Sequence, residues 1–217
     1  MKVKKVLFSI LFWVSSLTWG IIMTSIGLII TGGLNLAKAI AKLFKKDLKI
    51  KTHKNGCSLI TEVGDNWGGL ELGAVALCGN YSSWAPKSFK STREHEFGHA
   101  IQHLYLGPAF IFLVAIPSAT RYWLREFRGG KKKNIFAGCL CGSFVLLAAF
   151  ISLLAIFISP VFYFVSGFIG LYTIALGYWL FFVEIPKYNN GPVPYDSIWF
   201  EGGATKTGTK FIDWLEN

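Results

Sequence analysis

The sequence predicts a mainly α-helical integral membrane protein of α+β type, in which transmembrane helices accompany a small unit containing a short β-hairpin. Three observations predict it. Long apolar stretches recur, two of them without any charge; lysine and arginine clusters stand beside those stretches; and one interval, 57–78, reads as strand rather than helix. The chain is 53% hydrophobic with a mean hydropathy of +0.46, more apolar residue than a soluble domain of 217 residues needs.

The first stretch, Val6 to Leu34, is apolar apart from scattered Ser, Thr and Gly, and reads as one tilted helix or a bent hairpin. Lys2, Lys4 and Lys5 ahead of it imitate a signal peptide. No small-x-small cleavage pattern follows, so an uncleaved anchor over 1–37 is expected. Leu36 to Leu48 then reads as an amphipathic basic helix at the membrane surface. Cys57 to Val63 and Trp67 to Leu77 are strand candidates around the turn signal Gly64-Asp65-Asn66, which predicts a hairpin. Ser91-Thr92-Arg93-Glu94 has capping-box spacing and predicts a helix from there to about Leu106, stopped by Gly107-Pro108. Ile101 to Ala119 is apolar but short and broken by Pro108 and Pro117. Ile135 to Ser159 and Val161 to Val183 are uncharged and form a transmembrane hairpin turning at Pro160, each long enough for a core of about 30 Å. Trp199 to Leu215 predicts a helix weakened by Gly202 and Gly203. Four segments result: the anchor 1–37, a unit 38–133, the hairpin 134–184 and a C-terminal segment 185–217.

The net charge of +10 is concentrated in Lys38, Lys42, Lys45, Lys46, Lys49, Lys51 and Lys54, and in Arg121, Arg125, Arg128, Lys131, Lys132 and Lys133. Beside apolar spans these fit the positive-inside rule and anionic lipid head groups, not nucleic acid. Arg121 and Arg125 read as topology determinants. Cys139 and Cys141 lie in an apolar span as small hydrophobes, and Cys57 and Cys78 lack metal-type spacing.

His95-Glu96-Phe97-Gly98-His99 carries the chemistry. On a helix, positions i and i+4 share a face, so His95 and His99 aim two imidazoles at one Zn2+. Glu96 on the adjacent face can take a proton from a water at the metal, which is the arrangement for metal-assisted amide hydrolysis. Three protein ligands and one water make a catalytic zinc site, so a third ligand is needed from elsewhere. His103 lies about 6 Å further along a straight helix, too far for the same ion. Glu201, beside small residues that allow close helix packing, is preferred, with Asp196 in the proline-rich loop as the alternative. Glu94 reads as the capping carboxylate.

These residues, with Trp199-Phe200-Glu201-Gly202-Gly203-Ala204, resemble gluzincin metallopeptidases. The resemblance implies a zincin-like catalytic unit, His95, His99 and Glu201 as zinc ligands and Glu96 as general base. It also implies an edge strand beside the motif helix, which would place Trp67, Gly68, Gly69, Leu70 and Glu71 against a peptide or membrane-protein substrate. Glu71 itself reads as solvent-facing. Gly203 departs from the pattern. Asn66 to Gly73, the His-Glu helix, Ile116 to Trp123 and Tyr195 to Gly202 also resemble pieces of a group of uncharacterised small bacterial membrane proteins. A shared site for His99 and Glu201 requires that Ile101 to Ala119 not cross the membrane. The basic run 121–133 then places the site on the cytoplasmic side of a bacterial plasma membrane.

Overall fold

A computed structural model describes residues 2–65, 67–127, 129–188 and 191–217. Asn66 of the expected turn, Arg128 of the basic run and Asn190 of the proline-rich loop lie outside them. The chain forms two compact units, one of residues 1–111 with 196–217 and one of residues 112–195.

In the first unit the apolar N-terminal stretch is two helices, α1 (Lys2–Thr18) and α2 (Ile21–Leu43), broken at Trp19-Gly20. α2 absorbs most of the surface helix expected at 36–48. Its last turns are held to the protein by Asn35, which donates to Thr52 Oγ1 at 2.9 Å, and by Lys38, which donates to the Ile50 carbonyl. The four strands are β1 (Lys51–Asn55), β2 (Ser58–Glu62), β3 (Gly69–Leu72) and β4 (Val75–Cys78), in the order β1-β2-β4-β3.

The expected hairpin between 57–63 and 67–77 does not form. β1 pairs antiparallel with β2, β3 antiparallel with β4, and β2 with β4 run parallel at the centre. The reason lies in two glycines. Gly73, with φ of +79°, makes a tight turn in what the sequence suggests is a strand interior, and Gly56, with φ of +62°, makes the other. The central strand β4 is buried throughout, because α2 covers one face of the sheet and α3 (Pro86–Leu106) the other. On one face, Gly27 of α2 approaches Leu72 and Val75, and Thr31 meets Thr61. On the other, Ile60, Ala76 and Cys78 pack with Phe89. Phe12 of α1, Phe97, Ala100 and Ile101 of α3, and Ile212 of α8 (Trp199–Glu216) complete the core.

α2 buries Thr24, Gly27 and Thr31 while Ile22, Ile26 and Ile29 face outward, the reverse of a soluble amphipathic helix.

The second unit contains α4 (Ile116–Glu126), α5 (Gly130–Phe157), α6 (Val161–Tyr178) and the short α7 (Ile185–Lys187), which α6 reaches through a π-helical stretch, Trp179–Glu184. α5 and α6 are antiparallel neighbours joined through Ser159 and Pro160, with Ser152 and Ser166 hydrogen-bonded at 2.6 Å between them. Among the described residues, three helices are long and apolar enough to cross a membrane: Ile21–Leu43, Gly130–Phe157 and Val161–Lys187. The stretch 101–119 is not one of them. α3 ends at Leu106, a π-helical turn spans Ile111–Ala115, and α4 opens with Pro117 in its first turn. Arg121 departs from its expected role as a surface topology signal. It is fully buried, paired with Glu184 at 3.1 Å, and donates to the Pro194 carbonyl at 2.9 Å.

Candidate metal centre

α3 begins at Pro86, five residues before the expected capping box, because proline at the first helical position needs no N–H partner there. Ser91 is therefore inside the helix. Glu94 is not a cap; it accepts from Thr209 Oγ1 at 3.0 Å and pairs with Lys90 at 3.6 Å. α8 is an unbroken helix across Gly202 and Gly203. Gly98 lies against the Ala204 carbonyl and Gly208 against the Glu94 carbonyl, with no space at either glycine for a Cβ. This close approach sets Glu201 opposite the two histidines.

His95 Nε2 and His99 Nε2 are 3.1 Å apart, and each is 3.2 Å from Glu201 Oε2. Tetrahedral zinc with bonds of about 2.0–2.1 Å requires ligand separations of about 3.3–3.4 Å, close to these. Asp196, the alternative third ligand, is exposed and does not join the group.

The rings are oriented by their other nitrogens. Thr205 Oγ1 donates to the Glu201 carbonyl at 3.3 Å, so toward His95 Nδ1, 2.8 Å away, it presents a lone pair. Gln102 Nε2 donates to the Phe200 carbonyl at 2.7 Å, which turns Oε1 toward His99 Nδ1 at 2.9 Å. Both imidazoles thus carry their proton on Nδ1 and present an Nε2 lone pair to the centre. Three converging acceptor atoms repel one another unless a metal ion, or a proton on His95 Nε2 shared with Glu201, lies among them; the donor set fits a metal ion. Gln102 and Thr205 were not singled out in the sequence; the signal was their helical spacing, three after His99 and four after Glu201.

Burial opposes protonation of His95, but its hydrogen bond to Glu201 and the charges of Glu96 and Glu201 outweigh it and leave its pKa raised. Glu96 is 5% exposed and is raised chiefly by burial, against the pull of the two histidines. Gly69 of β3 sits directly against the Glu96 carboxylate, where a Cβ would collide.

β3 is an edge strand of the sheet, beside α3. Glu71 is not solvent-facing as expected; it is 5% exposed, and burial followed by the Glu96 charge pushes its carboxyl well above the usual range. Leu70 is exposed, Trp67 and Gly68 are half-buried, and Gly68 has φ of +98°. His103 is 1% exposed, edge-on to Phe110 at 5.2 Å, and held down to about 4 by burial. It packs, as its distance along the helix suggests, and takes no part in the cluster.

No protein-family model, curated protein or solved structure matches the chain.

Proposed function

We propose that the protein is a membrane-embedded zinc metallopeptidase of gluzincin type. The observation that carries the reading is the convergence of two tautomer-fixed imidazoles and one carboxylate within 3.2 Å, with a second carboxylate on the next helical position. His95, His99 and Glu201 would hold Zn2+, which when bound acidifies water and polarises a carbonyl. Glu96, with its pKa raised by burial, would accept the proton of the attacking water and return it to the leaving amine. The free edge of β3 offers backbone groups to an extended peptide or a segment of a membrane protein, and the missing side chains at Gly68 and Gly69 let that backbone approach. The basic run before α5 supports a site facing the cytoplasm of a bacterial plasma membrane, with anionic head groups alongside.

One observation favours a second reading. Glu201 is fully buried and His99 is 5% exposed, as in a closed, structural zinc site that holds a non-catalytic membrane scaffold together. Glu96→Gln separates the two. In detergent-purified protein it retains zinc under both readings, and under the peptidase reading it abolishes a zinc-dependent cleavage of unfolded or membrane-inserted protein shown by the wild type. Absence of cleavage by zinc-loaded wild type across such substrates refutes the peptidase.

A further inference from the structure

α1 carries a second feature that the metal centre does not use. A groove of ≈ 560 Å³ runs along it, walled by Val6, Ile10, Val14 and Leu17 and closed on its other side by the β1–β2 turn and Leu215. Those four residues fall on one helical stripe, and all four are exposed. From Lys5 to Leu17 the stripe rises about 18 Å, roughly one leaflet of a 30 Å hydrocarbon core.

The polar side-chain atoms of Ser9 and Trp13 in the groove are committed. The indole Nε1 of Trp13 donates to the Cys57 carbonyl at 2.8 Å, and Ser9 Oγ donates to the Lys5 carbonyl at 2.9 Å. The backbone of α1 is hydrogen-bonded within the helix. Two basic residues, Lys5 and Lys54, also line the groove although 49 residues separate them. A peptide laid along α1 would bring backbone donors and acceptors that the helix wall cannot satisfy. An acyl chain brings none, and a phosphate brings the charge that two lysines require.

We propose that this groove binds an anionic phospholipid of the surrounding membrane, its phosphate between Lys5 and Lys54 and one acyl chain along Val6, Ile10, Val14 and Leu17. The two lysine clusters flanking the N-terminal apolar stretch are then on the same side of the membrane, because one head group touches both. α1 and α2 therefore enter and leave the same leaflet instead of separating the clusters across the bilayer. This inference is independent of the metal centre.

The test uses the full chain in detergent, with phosphatidylglycerol and phosphatidylcholine added in equal amounts and retained lipid counted by native mass spectrometry. Wild type is expected to keep one phosphatidylglycerol in preference to phosphatidylcholine. The variant K5E/K54E is expected to lose that preference by at least about 30-fold, since each basic residue near an anionic surface contributes about fivefold. Ile10→Trp, which fills the groove without altering charge, is expected to lower retention of both lipids, with helix content by circular dichroism unchanged. K131E/K132E, outside the groove, is the charge-matched control. Equal loss in that control, or undiminished phosphatidylglycerol retention in K5E/K54E, overturns the proposal, as does preferential capture of a co-purifying peptide that Ile10→Trp displaces.

Discussion

Thr205→Val is the sharpest probe of the candidate metal centre, because it preserves volume and removes only the hydroxyl that touches His95 Nδ1 and the Glu201 carbonyl. The threonine hydroxyl receives His95 Nδ1–H at 2.8 Å and fixes which nitrogen faces Glu201. Valine removes the hydroxyl that accepts from that N–H and frees the ring to rotate or to move its proton to Nε2, where it would block a metal. Groups that hold a metal-binding histidine contribute about 10–100-fold in affinity. His95 is part-buried, with a side chain 16% exposed, and water can partly replace the hydroxyl, so a loss near 10-fold is expected, about 1.4 kcal/mol. Gln102→Leu acts on His99, whose side chain is only 6% exposed, and is expected to cost nearer 100-fold. Competition with a zinc chelator of known affinity, in detergent, reads both numbers. Zinc affinity within twofold of wild type for both variants would refute the argument that these side chains set the tautomers. Equal losses in the two would refute the ranking by burial.

Two further outcomes follow from packing and burial. Gly98→Ala places a methyl group on the Ala204 backbone carbonyl, which cannot move without displacing α8, so about 3 kcal/mol of stability is expected to be lost, with zinc binding weakened in parallel; thermal unfolding with and without zinc reads this. His103 is buried and neutral with a pKa of about 4, against about 6.5 when unfolded. The unfolded state therefore binds the extra proton first, and His103 costs stability increasingly as pH falls from about 6.5 to 4, by about 3 kcal/mol at the lower end. His103→Leu is expected to remove that part of the acid sensitivity; a wild-type-to-variant difference that does not change with pH between 7 and 4 would contradict it.

The proximity of Glu201 to the two motif histidines was legible because it rests on short-range rules. His95 and His99 need only helical spacing, and Glu201 was marked by small neighbours that permit close approach. The capping box misled because Pro86 begins the helix earlier, and a Ser-x-x-Glu pattern inside a helix has no free N–H groups to satisfy. The sheet order was not legible. A parallel pairing of β2 with β4 depends on the crossing of the segment between them, and Gly73 reads equally as strand or turn until Thr24 of α2 is seen against it. The depth of Glu71 depended on the same uncertainty, since shifting a strand by one residue exchanges its faces. Arg121 could not be assigned by sequence because its partner Glu184 lies just past the end of an uncharged span, 63 residues away.

The separation of His99 and Glu201 by 102 residues has a consequence for biosynthesis. A ribosome adding about 5–20 residues per second completes α8 some 5–20 s after the two histidines emerge. During that interval α5 and α6, both long and apolar enough to cross a membrane, are synthesised, while α3 lacks the helix against which Gly98 packs. The chain therefore cannot bring Glu201 to His95 and His99 until both helices of the apolar hairpin have been synthesised.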